Sequence, residues 1–144
     1  MSKIYLAHPI TGLSADEVFE YYDTVSEELE FYHTVFSPMS GKDELRTESV
    51  MKKSYDSPVT GDHAIFERDM WMVEMSDMLL CDFTGAGSVS IGCCMEIAWA
   101  SKLNHHTIIV MEDGNIHDRP FMREAADVIF PTLKEAIKYI NQLP

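Results

Sequence analysis

The feature that most constrains the fold of this chain is the alternation of short β-like runs with helix-like runs along its 144 residues. Five runs rich in aliphatic and β-branched residues predict strands. They are KIYLA at 3–7, TVFS at 34–37, MLLCDF at 78–83, TIIVM at 107–111 and VIF at 128–130. Because strands that alternate with helices pair in parallel, we predict an α/β chain with a five-stranded parallel sheet and helices on both faces.

Four helices are predicted between and after these strands. The first follows an N-cap at Ser14, where Glu17 completes a capping box, and extends to about Tyr32. The others are predicted over 62–76, 90–102 and 132–141. The polar segment 38–61 has no clear period and is predicted to be a loop, which at such a length is commonly a lid or a binding loop.

Length, composition and charge narrow the class of protein. A chain of 144 residues fits one compact domain over 1–144, and an apolar fraction of 46% suits a globular protein. No apolar run approaches the roughly 20 residues that span a bilayer, and the start MSKIYLAHP lacks signal-peptide features, so we expect a cytoplasmic protein. The net charge of -13 opposes binding to nucleic acid or to an anionic membrane.

The cysteines and histidines give no sign of a metal centre. Two of the three cysteines are adjacent, at 93 and 94, so the chain has no CxxC pair and no framework of disulfide bridges. The six histidines show no metal-ligand spacing with them. We expect reduced cysteines, no metal and no cofactor, with His105 and His106 in a surface turn before the fourth strand.

Glu96 is the single charged residue in the run from Thr84 to Ser101. On a helix, its neighbours three and four residues away are uncharged, so its carboxylate has no polar stripe to lie on. An ionised group in apolar surroundings is costly unless it is partnered, and such groups concentrate at functional sites. Glu96 is therefore the first candidate for a catalytic residue.

The predicted sheet places four loops at one edge. Ligands of open parallel α/β sheets bind outside the C-terminal ends of the strands, where successive helices leave for opposite faces. The loops in question are HPITG, SPMSGK, FTGAGSVS and MEDGNIHD, after the first four strands in turn. Glu96 lies near the start of the helix after the third strand and faces this edge.

Four segments in order along the chain carry a resemblance to a known family. They are IYLAHP at 4–9, Arg68-Asp69, SDMLLCD at 76–82 and SIGCCMEIAWA at 90–100. The last is similar to the pattern D/S-x-G-T-x-x-E-x-G/A-x-A, with Cys93 in place of the common Thr. Together they resemble the nucleoside 2-deoxyribosyltransferases and the related N-glycosidases of nucleoside 5'-monophosphates. The resemblance implies a flavodoxin-like (Rossmann-like) doubly wound fold with three α/β/α layers.

The resemblance also implies a mechanism with a covalent intermediate. Glu96 would attack C1' of a (2'-deoxy)nucleoside, as the carboxylate of a retaining glycosidase does. Asp69 lies at the position of the residue that acts at the base, which must be protonated to leave. Tyr5 resembles the tyrosine that holds the nucleophile, or it is a core aromatic with its hydroxyl at the rim. The sugar would pass to a free nucleobase or to water, and the sequence leaves both acceptors open.

Ser90 and Gly92 each have two interpretations. Ser90 stands where many transferases carry Asp, and a hydroxyl at a helix N-terminus suits the 5'-phosphate of a nucleotide substrate, although Ser is also an ordinary N-cap. Gly92 leaves room for the sugar, or it allows a helix to pack closely on a strand. The predicted substrate-binding residues are Ser90, Gly92, His8, Ile10, Asp82, Arg68, Ser88, Asn115 and His117.

Two of these assignments compete with plainer ones. Asp82 orients Asp69 or contacts the base, or it is an acceptor within a turn. Arg68, next to Asp69, is the one cation assigned to the site, because the other candidates lie among acidic residues in the long loop and fit a solvated surface. Those other cations are Lys42, Arg46, Lys52 and Lys53.

A neighbouring subunit is implied by the resemblance alone. Asn115 or His117, after the fourth strand, would complete the site of a second chain, so we expect a homodimer or a larger homo-oligomer. The apolar content of the second helix is compatible with a subunit surface or with a core-facing stripe. The residues concerned are Phe66, Met70, Trp71, Met72 and Met75.

Two other functions are open. The chain could be a nucleotide sensor or sequestering protein that kept the fold without turnover, although binding alone does not require a carboxylate in apolar surroundings. It could also be a phosphate-binding regulator with a flavodoxin-like fold. The loop FTGAGSVS would suit that role but matches neither GxGxxG nor a P-loop.

Overall fold

The structure, a computed structural model that describes residues 1–144, contains one sheet of five parallel strands in the order β2-β1-β3-β4-β5. The strands are β1 (Lys3–Ala7), β2 (Thr34–Phe36), β3 (Met78–Asp82), β4 (His106–Val110) and β5 (Val128–Phe130). The helices are α1 (Ala15–Glu30), α2 (Asp62–Met75), α3 (Ile91–Lys102), α4 (Pro120–Ala125) and α5 (Leu133–Ile140). The predicted doubly wound α/β/α fold is confirmed, and each predicted strand lies within one residue of its observed ends.

Both faces of the sheet are covered by helices and buried. Ile4 and Leu6 of β1 point to the apolar layer formed with α1 and α5, whereas Tyr5 and Ala7 point to the layer formed with α2 and α3. This division follows from the alternation of side chains along a strand. It places the Tyr5 side chain on the same face of the sheet as α3.

Neighbouring strands β1 and β3 mark the point where the chain reverses its direction of winding. They pair in parallel, with Tyr5 opposite Leu79 and Ala7 opposite Cys81. The helix that follows β1 packs on one face of the sheet and the helix that follows β3 packs on the other. The crevice at the C-terminal ends of these two strands is therefore the position at which a doubly wound fold binds ligands.

Local signals account for the helix starts. The Ser14 side chain accepts from the Glu17 N–H, and the Glu17 carboxylate accepts from the Ser14 N–H, so the predicted capping box is present. Ser90 and Thr132 are the N-caps of α3 and α5, and the side chain of each accepts a hydrogen bond from a backbone N–H in the first turn. None of the helices has the length and apolar character needed to cross a membrane.

One local prediction is wrong, and one short helix was missed. His106 is the first residue of β4, where its N–H donates to the Asp77 carbonyl, so it does not belong to a surface turn. The short helix α4 was not predicted, because its six residues include none that is buried and so carry no amphipathic pattern. Pro120 occupies the start of this helix, a position that suits a residue without an N–H.

The segment 38–61 is a loop, as predicted, but it is anchored along its length. A 3₁₀ helix spans Asp43–Thr47, and the side chains of Met39, Leu45 and Met51 are buried in the apolar layer beside α1. Met51 exchanges backbone hydrogen bonds with Gly12 and Leu13. This packing gives the loop a fixed path past the C-terminal edge of the sheet.

Candidate active site

Tyr5 and Glu96 meet at the C-terminal edge of the sheet. The Tyr5 hydroxyl donates a hydrogen bond to Glu96 Oε2, and the tyrosine itself is fully buried. Glu96 Oε1 accepts no hydrogen bond from the protein. The carboxylate is thus fixed at one oxygen and free at the other.

Burial raises the pKa of Glu96 well above its usual range, and the nearby Cys93 adds to this effect. The hydrogen bond from Tyr5 and the charge of Lys42 act in the opposite direction on the same pKa. The phenol pKa of Tyr5 is also raised, mainly by burial, so this hydroxyl stays protonated and serves as a donor. The apolar surroundings of Glu96 were predicted from the sequence, because its neighbours on α3 are uncharged.

Asp69 on α2 lies near Tyr5 and Glu96. Its Oδ2 lies 3.9 Å from Lys42 Nζ, and its Oδ1 lies 3.7 Å from Arg68 Nε. Burial raises the pKa of Asp69, and the two cations only partly offset this rise. Asp69 also contributes to the raised pKa values of Tyr5 and Glu96, so the three predicted catalytic residues belong to one cluster.

Lys42 is the site residue that sequence reasoning missed. The prediction of a solvated cation is wrong for this residue, since its side chain is only 3% exposed. Burial lowers the pKa of its ammonium group, against the opposing attraction of Asp69. The three other cations of the loop, Arg46, Lys52 and Lys53, are exposed as predicted.

Gly41 sets the approach of this loop to α2. Its φ of +78° lies in the left-handed region, and a Cβ at this position would come within 3.2 Å of Arg68 Nη1. Glycine suits this backbone conformation, and a side chain here would need Arg68 Nη1 to shift by a few tenths of an ångström. The motif SPMSGK after β2 contains both Gly41 and Lys42, but the sequence does not reveal which of its side chains turns inward.

Ser90 is the N-cap of α3, and its side chain accepts from the Cys93 N–H at 3.4 Å. The capping interpretation is therefore confirmed. Ile91 and Gly92, the first two helical residues, have no acceptor within the helix for their N–H groups. A Cβ on Gly92 would meet no atom within 4 Å, which contradicts the alternative that this glycine serves close packing of helix on strand.

Asn115 and His117 are turned inward, which corrects the expectation that one of them reaches a neighbouring subunit. Both are buried, at 5% and 3% exposure. The Asn115 amide donates to the Phe83 carbonyl, and the His117 ring stacks on Phe83. His117 Nε2 accepts the Ser90 N–H at 2.9 Å, so these residues position the N-terminus of α3 within their own chain.

Asp82 acts as an acceptor within a turn rather than as a partner of Asp69. Its Oδ1 accepts from the Thr84 N–H and hydroxyl, and its Oδ2 accepts from the Tyr21 hydroxyl at 2.7 Å. His8 stacks on the Tyr21 ring and donates from Nδ1 to the Asp82 carbonyl oxygen. These contacts hold the loops after β1 and β3 together at the edge of the sheet that carries Tyr5 and Glu96.

Two further predicted residues differ in their surroundings. Ile10 is half-buried and packs against the apolar layer on the α1 side, away from the layer that holds Tyr5. Ser88 is exposed in the loop before α3. Ser88 is thus available to a ligand, whereas Ile10 packs against the core.

An apolar cavity lies apart from the cluster of Tyr5, Asp69 and Glu96. It encloses about 680 Å³ between α3 and α4, and its walls include Ile97, Met122 and the strongly exposed Phe121. Neither Tyr5, Asp69 nor Glu96 lines it. Because titratable groups with shifted pKa values define the chemical site better than apolar volume does, we place the candidate site at Glu96.

A comparison with protein families gives one match that spans most of the chain. The family model described as nucleoside 2-deoxyribosyltransferase matches residues 4–135. That range includes all four segments on which the resemblance rests, and all three predicted catalytic residues. No curated protein matches the sequence significantly.

Solved structures of similar fold cover nearly the whole chain at low sequence identity. A 2-deoxyribosyltransferase from Bacillus psychrosaccharolyticus has a TM-score of 0.69 at 17% identity, with 96% of this chain and 92% of that chain covered. A 2-deoxyribosyltransferase from Leishmania mexicana has a TM-score of 0.67 at 16% identity, over 99% and 98%. A CMP N-glycosidase from Clostridium botulinum has a TM-score of 0.59 at 17% identity, over 98% and 99%.

Proposed function

The chain belongs to the nucleoside 2-deoxyribosyltransferase family, and from this premise we propose that it cleaves the N-glycosidic bond of a (2'-deoxy)nucleoside or its 5'-monophosphate through a glycosyl-Glu96 intermediate. The observation that carries the proposal is the hydrogen bond from the Tyr5 hydroxyl to Glu96 Oε2. It leaves Oε1 as the oxygen that can bond to carbon. A sensor that only binds nucleotides would not need a half-buried carboxylate fixed in this way.

In the first half-reaction, Glu96 Oε1 forms a bond to C1' as the bond from C1' to the base nitrogen breaks. The electron pair of the broken bond goes to the base, and Asp69 supplies a proton to it. The raised pKa of Asp69 suits this role, because an acid that keeps its proton closer to neutral pH can deliver it to a leaving group. Tyr5 and Lys42 favour the ionised form that Glu96 needs as a nucleophile.

In the second half-reaction, an acceptor attacks C1' and the bond from C1' to Glu96 breaks, returning its electron pair to the carboxylate. Water as acceptor loses a proton to the Asp69 carboxylate and gives hydrolysis. A second nucleobase attacks through a ring nitrogen, loses its N–H proton to the Asp69 carboxylate and gives transfer of the sugar. Retention of configuration at C1' is expected in both cases, because each half-reaction inverts it once.

The loop before α3 is the position proposed for the 5' end of the substrate. Ser88 is exposed there, and the free N–H groups at the start of α3 suit a phosphate. The change Ser90→Asp tests this role apart from capping, since Asp is an equally good N-cap but adds negative charge. We expect it to lower kcat/KM for 5'-monophosphates while leaving the thermal stability and the activity on nucleosides unchanged.

The experiment for the proposed function is detection of the intermediate. After brief mixing with deoxynucleosides or their 5'-monophosphates, mass spectrometry of the intact protein should show a sugar adduct, located on Glu96 by peptide mapping. Glu96→Gln should abolish both the adduct and the release of free base. Base release that is equal in the two proteins would contradict the proposal.

Self-association is part of the same proposal. On α2, the side chains of Phe66, Trp71 and Met75 are 38%, 58% and 44% exposed, while Met72 is buried in the core. The apolar content of α2 thus serves the core in part and leaves three large apolar groups at the surface. We expect a homodimer or larger homo-oligomer by light scattering, and we expect Trp71→Asp to shift it towards the monomer.

A further inference from the structure

Lys42 is a buried cation without a hydrogen bond. Its side chain is 3% exposed, and the nearest ionic group, Asp69 Oδ2, lies 3.9 Å from Nζ, which is too far for a hydrogen bond. A buried ammonium group that has no acceptor is costly. Burial accordingly outweighs the attraction of Asp69 and lowers the pKa of Lys42.

The residues beside Lys42 carry buried atoms that form ion pairs at most and no hydrogen bond. Arg68 Nε, Arg68 Nη2 and Asp69 Oδ1 are buried and have no hydrogen-bond partner. Buried polar atoms in native proteins are almost always partnered, so a group of them at one place indicates a missing ligand. The group offers several donors and one carboxyl, and it is near enough to Glu96 for Asp69 and Lys42 to shift the pKa of that residue.

The arrangement of charges favours a flat polar ring over a phosphate at this position. Asp69 pairs with Lys42 through one oxygen and with Arg68 through the other, so a carboxyl group lies between the two cations. A phosphate dianion would meet that carboxyl and Glu96 as well. A ring with a nitrogen acceptor beside a carbonyl oxygen would instead satisfy protonated Asp69 and the Lys42 ammonium together.

We propose that Lys42 donates a hydrogen bond to a carbonyl oxygen of the leaving base and thereby selects oxo-bases over adenine. The inference rests on the proposed function. As the glycosidic bond breaks, its electron pair spreads onto the carbonyl oxygen of such a base, where an ammonium group stabilises it. The 6-amino group of adenine has no acceptor to offer and would direct its own N–H groups at the ammonium. The effect on oxo-bases is therefore expected in kcat as well as in KM.

The test compares bases within each enzyme variant, so that a general loss of activity cancels. Substrates are the hypoxanthine, guanine, uracil, cytosine and adenine compounds, with unsubstituted purine as a reference that lacks the 6-oxygen. Lys42→Met keeps the length of the side chain without the charge, and Lys42→Arg keeps a cationic donor. Lys52→Met is the matched control, because Lys52 lies in the same loop with 64% of its side chain exposed.

We expect Lys42→Met to lower the ratio of kcat/KM for the oxo-bases to kcat/KM for adenine and purine about 10- to 100-fold, the loss typical of a hydrogen bond to a charged group, in addition to any loss that all bases share. Lys42→Arg should recover part of the preference, and Lys52→Met should leave it unchanged. A comparison of kcat/KM for hypoxanthine and guanine with kcat/KM for uracil and cytosine then shows whether the preferred base is a 6-oxopurine or a 2-oxopyrimidine.

An equal loss for all bases, or a loss confined to substrates with a 5'-phosphate, would overturn the inference. If Lys42→Met does not fold, the unmodified enzyme decides the matter, since cleavage of the adenine compound as efficient as that of the best oxo-base compound would also overturn the inference. Release of no base from any substrate, with no adduct on Glu96, would instead overturn the proposed function and this inference with it.

Discussion

The Tyr5 hydroxyl and the Glu96 carboxylate are 91 residues apart in sequence and hydrogen-bonded in the structure. Tyr5 comes from β1 and Glu96 from α3, the helix that follows β3, so the contact joins the two chain segments that meet at the crevice of the doubly wound sheet. The hydroxyl occupies one carboxylate oxygen and leaves the other free. This single contact orients the proposed nucleophile and favours its ionised form.

Tyr5→Phe removes that hydrogen bond and little else, because the ring remains in its buried position. Hydrogen bonds to charged groups are worth about 1.5–3 kcal/mol, so we expect kcat/KM for base release to fall about 10- to 100-fold. The measurement is steady-state release of free base, with thermal unfolding as the control for stability. Wild-type activity in Tyr5→Phe would mean that Glu96 is held by other groups.

Glu96→Gln should change the pH dependence of stability in a defined direction. The pKa of Glu96 in the folded protein is raised above its usual value of 4.5. The folded state therefore binds the proton more tightly than the unfolded state, and this contribution to stability is lost as pH rises from about 4.5 through the folded pKa. Glutamine does not titrate, so the variant should gain stability relative to wild type over that interval.

Denaturant unfolding of the Glu96→Gln variant and of wild type at a series of pH values tests this directly. Subtracting the two curves removes the titration of the other carboxyl groups. A difference in unfolding free energy that stays constant with pH would show that burial does not penalise the Glu96 carboxylate.

Gly41→Ala should damage the site more than the fold. Left-handed backbone costs a non-glycine residue about 1–2 kcal/mol, and at Gly41 a Cβ would also come within 3.2 Å of Arg68 Nη1. Gly114→Ala is the matched control, because its φ of +79° is the same but a Cβ there would meet no atom within 4 Å. We expect similar losses of stability from both variants and a fall in base release from Gly41→Ala alone. Equal base release by Gly41→Ala and Gly114→Ala would show that the close approach of Gly41 to Arg68 does not position Lys42 for its function.

His117 should make the loop before α3 sensitive to acid. Burial lowers the pKa of His117 below its usual 6.5, and its neutral ring accepts the Ser90 N–H. The unfolded state then binds the proton more tightly, so this stability is present above pH 6.5 and is lost as pH falls through the folded pKa. His117→Phe keeps a ring to stack on Phe83 but has no acceptor, and should cost about 1 kcal/mol at pH 7.5.

The measurement for His117 is the unfolding free energy of both proteins between pH 7.5 and pH 5. Wild type should lose its advantage over His117→Phe as the pH falls. If the advantage persists at pH 5, the ring does not accept the Ser90 N–H in solution.

Much of the fold could be predicted from local sequence. The five strands, the capping box at Ser14 and the caps of α3 and α5 depend on residues within a few positions of one another. Glu96 could be identified for a similar reason, since the absence of charge around it is a property of one short run. The helix α4 lacked such a signal, because none of its residues is buried.

The sequence by itself determined the alternation of strands and helices, the edge of the sheet that holds the candidate site, and the isolation of Glu96 among uncharged neighbours. Only the tertiary structure decided that Lys42 is buried against Asp69 while Lys52 and Lys53 stay in solvent, and that Asn115 and His117 turn towards Phe83 and Ser90. The physical reason is that periodicity and capping depend on near neighbours in the chain. The burial of a polar side chain depends on partners from distant segments, and only folding brings those within reach.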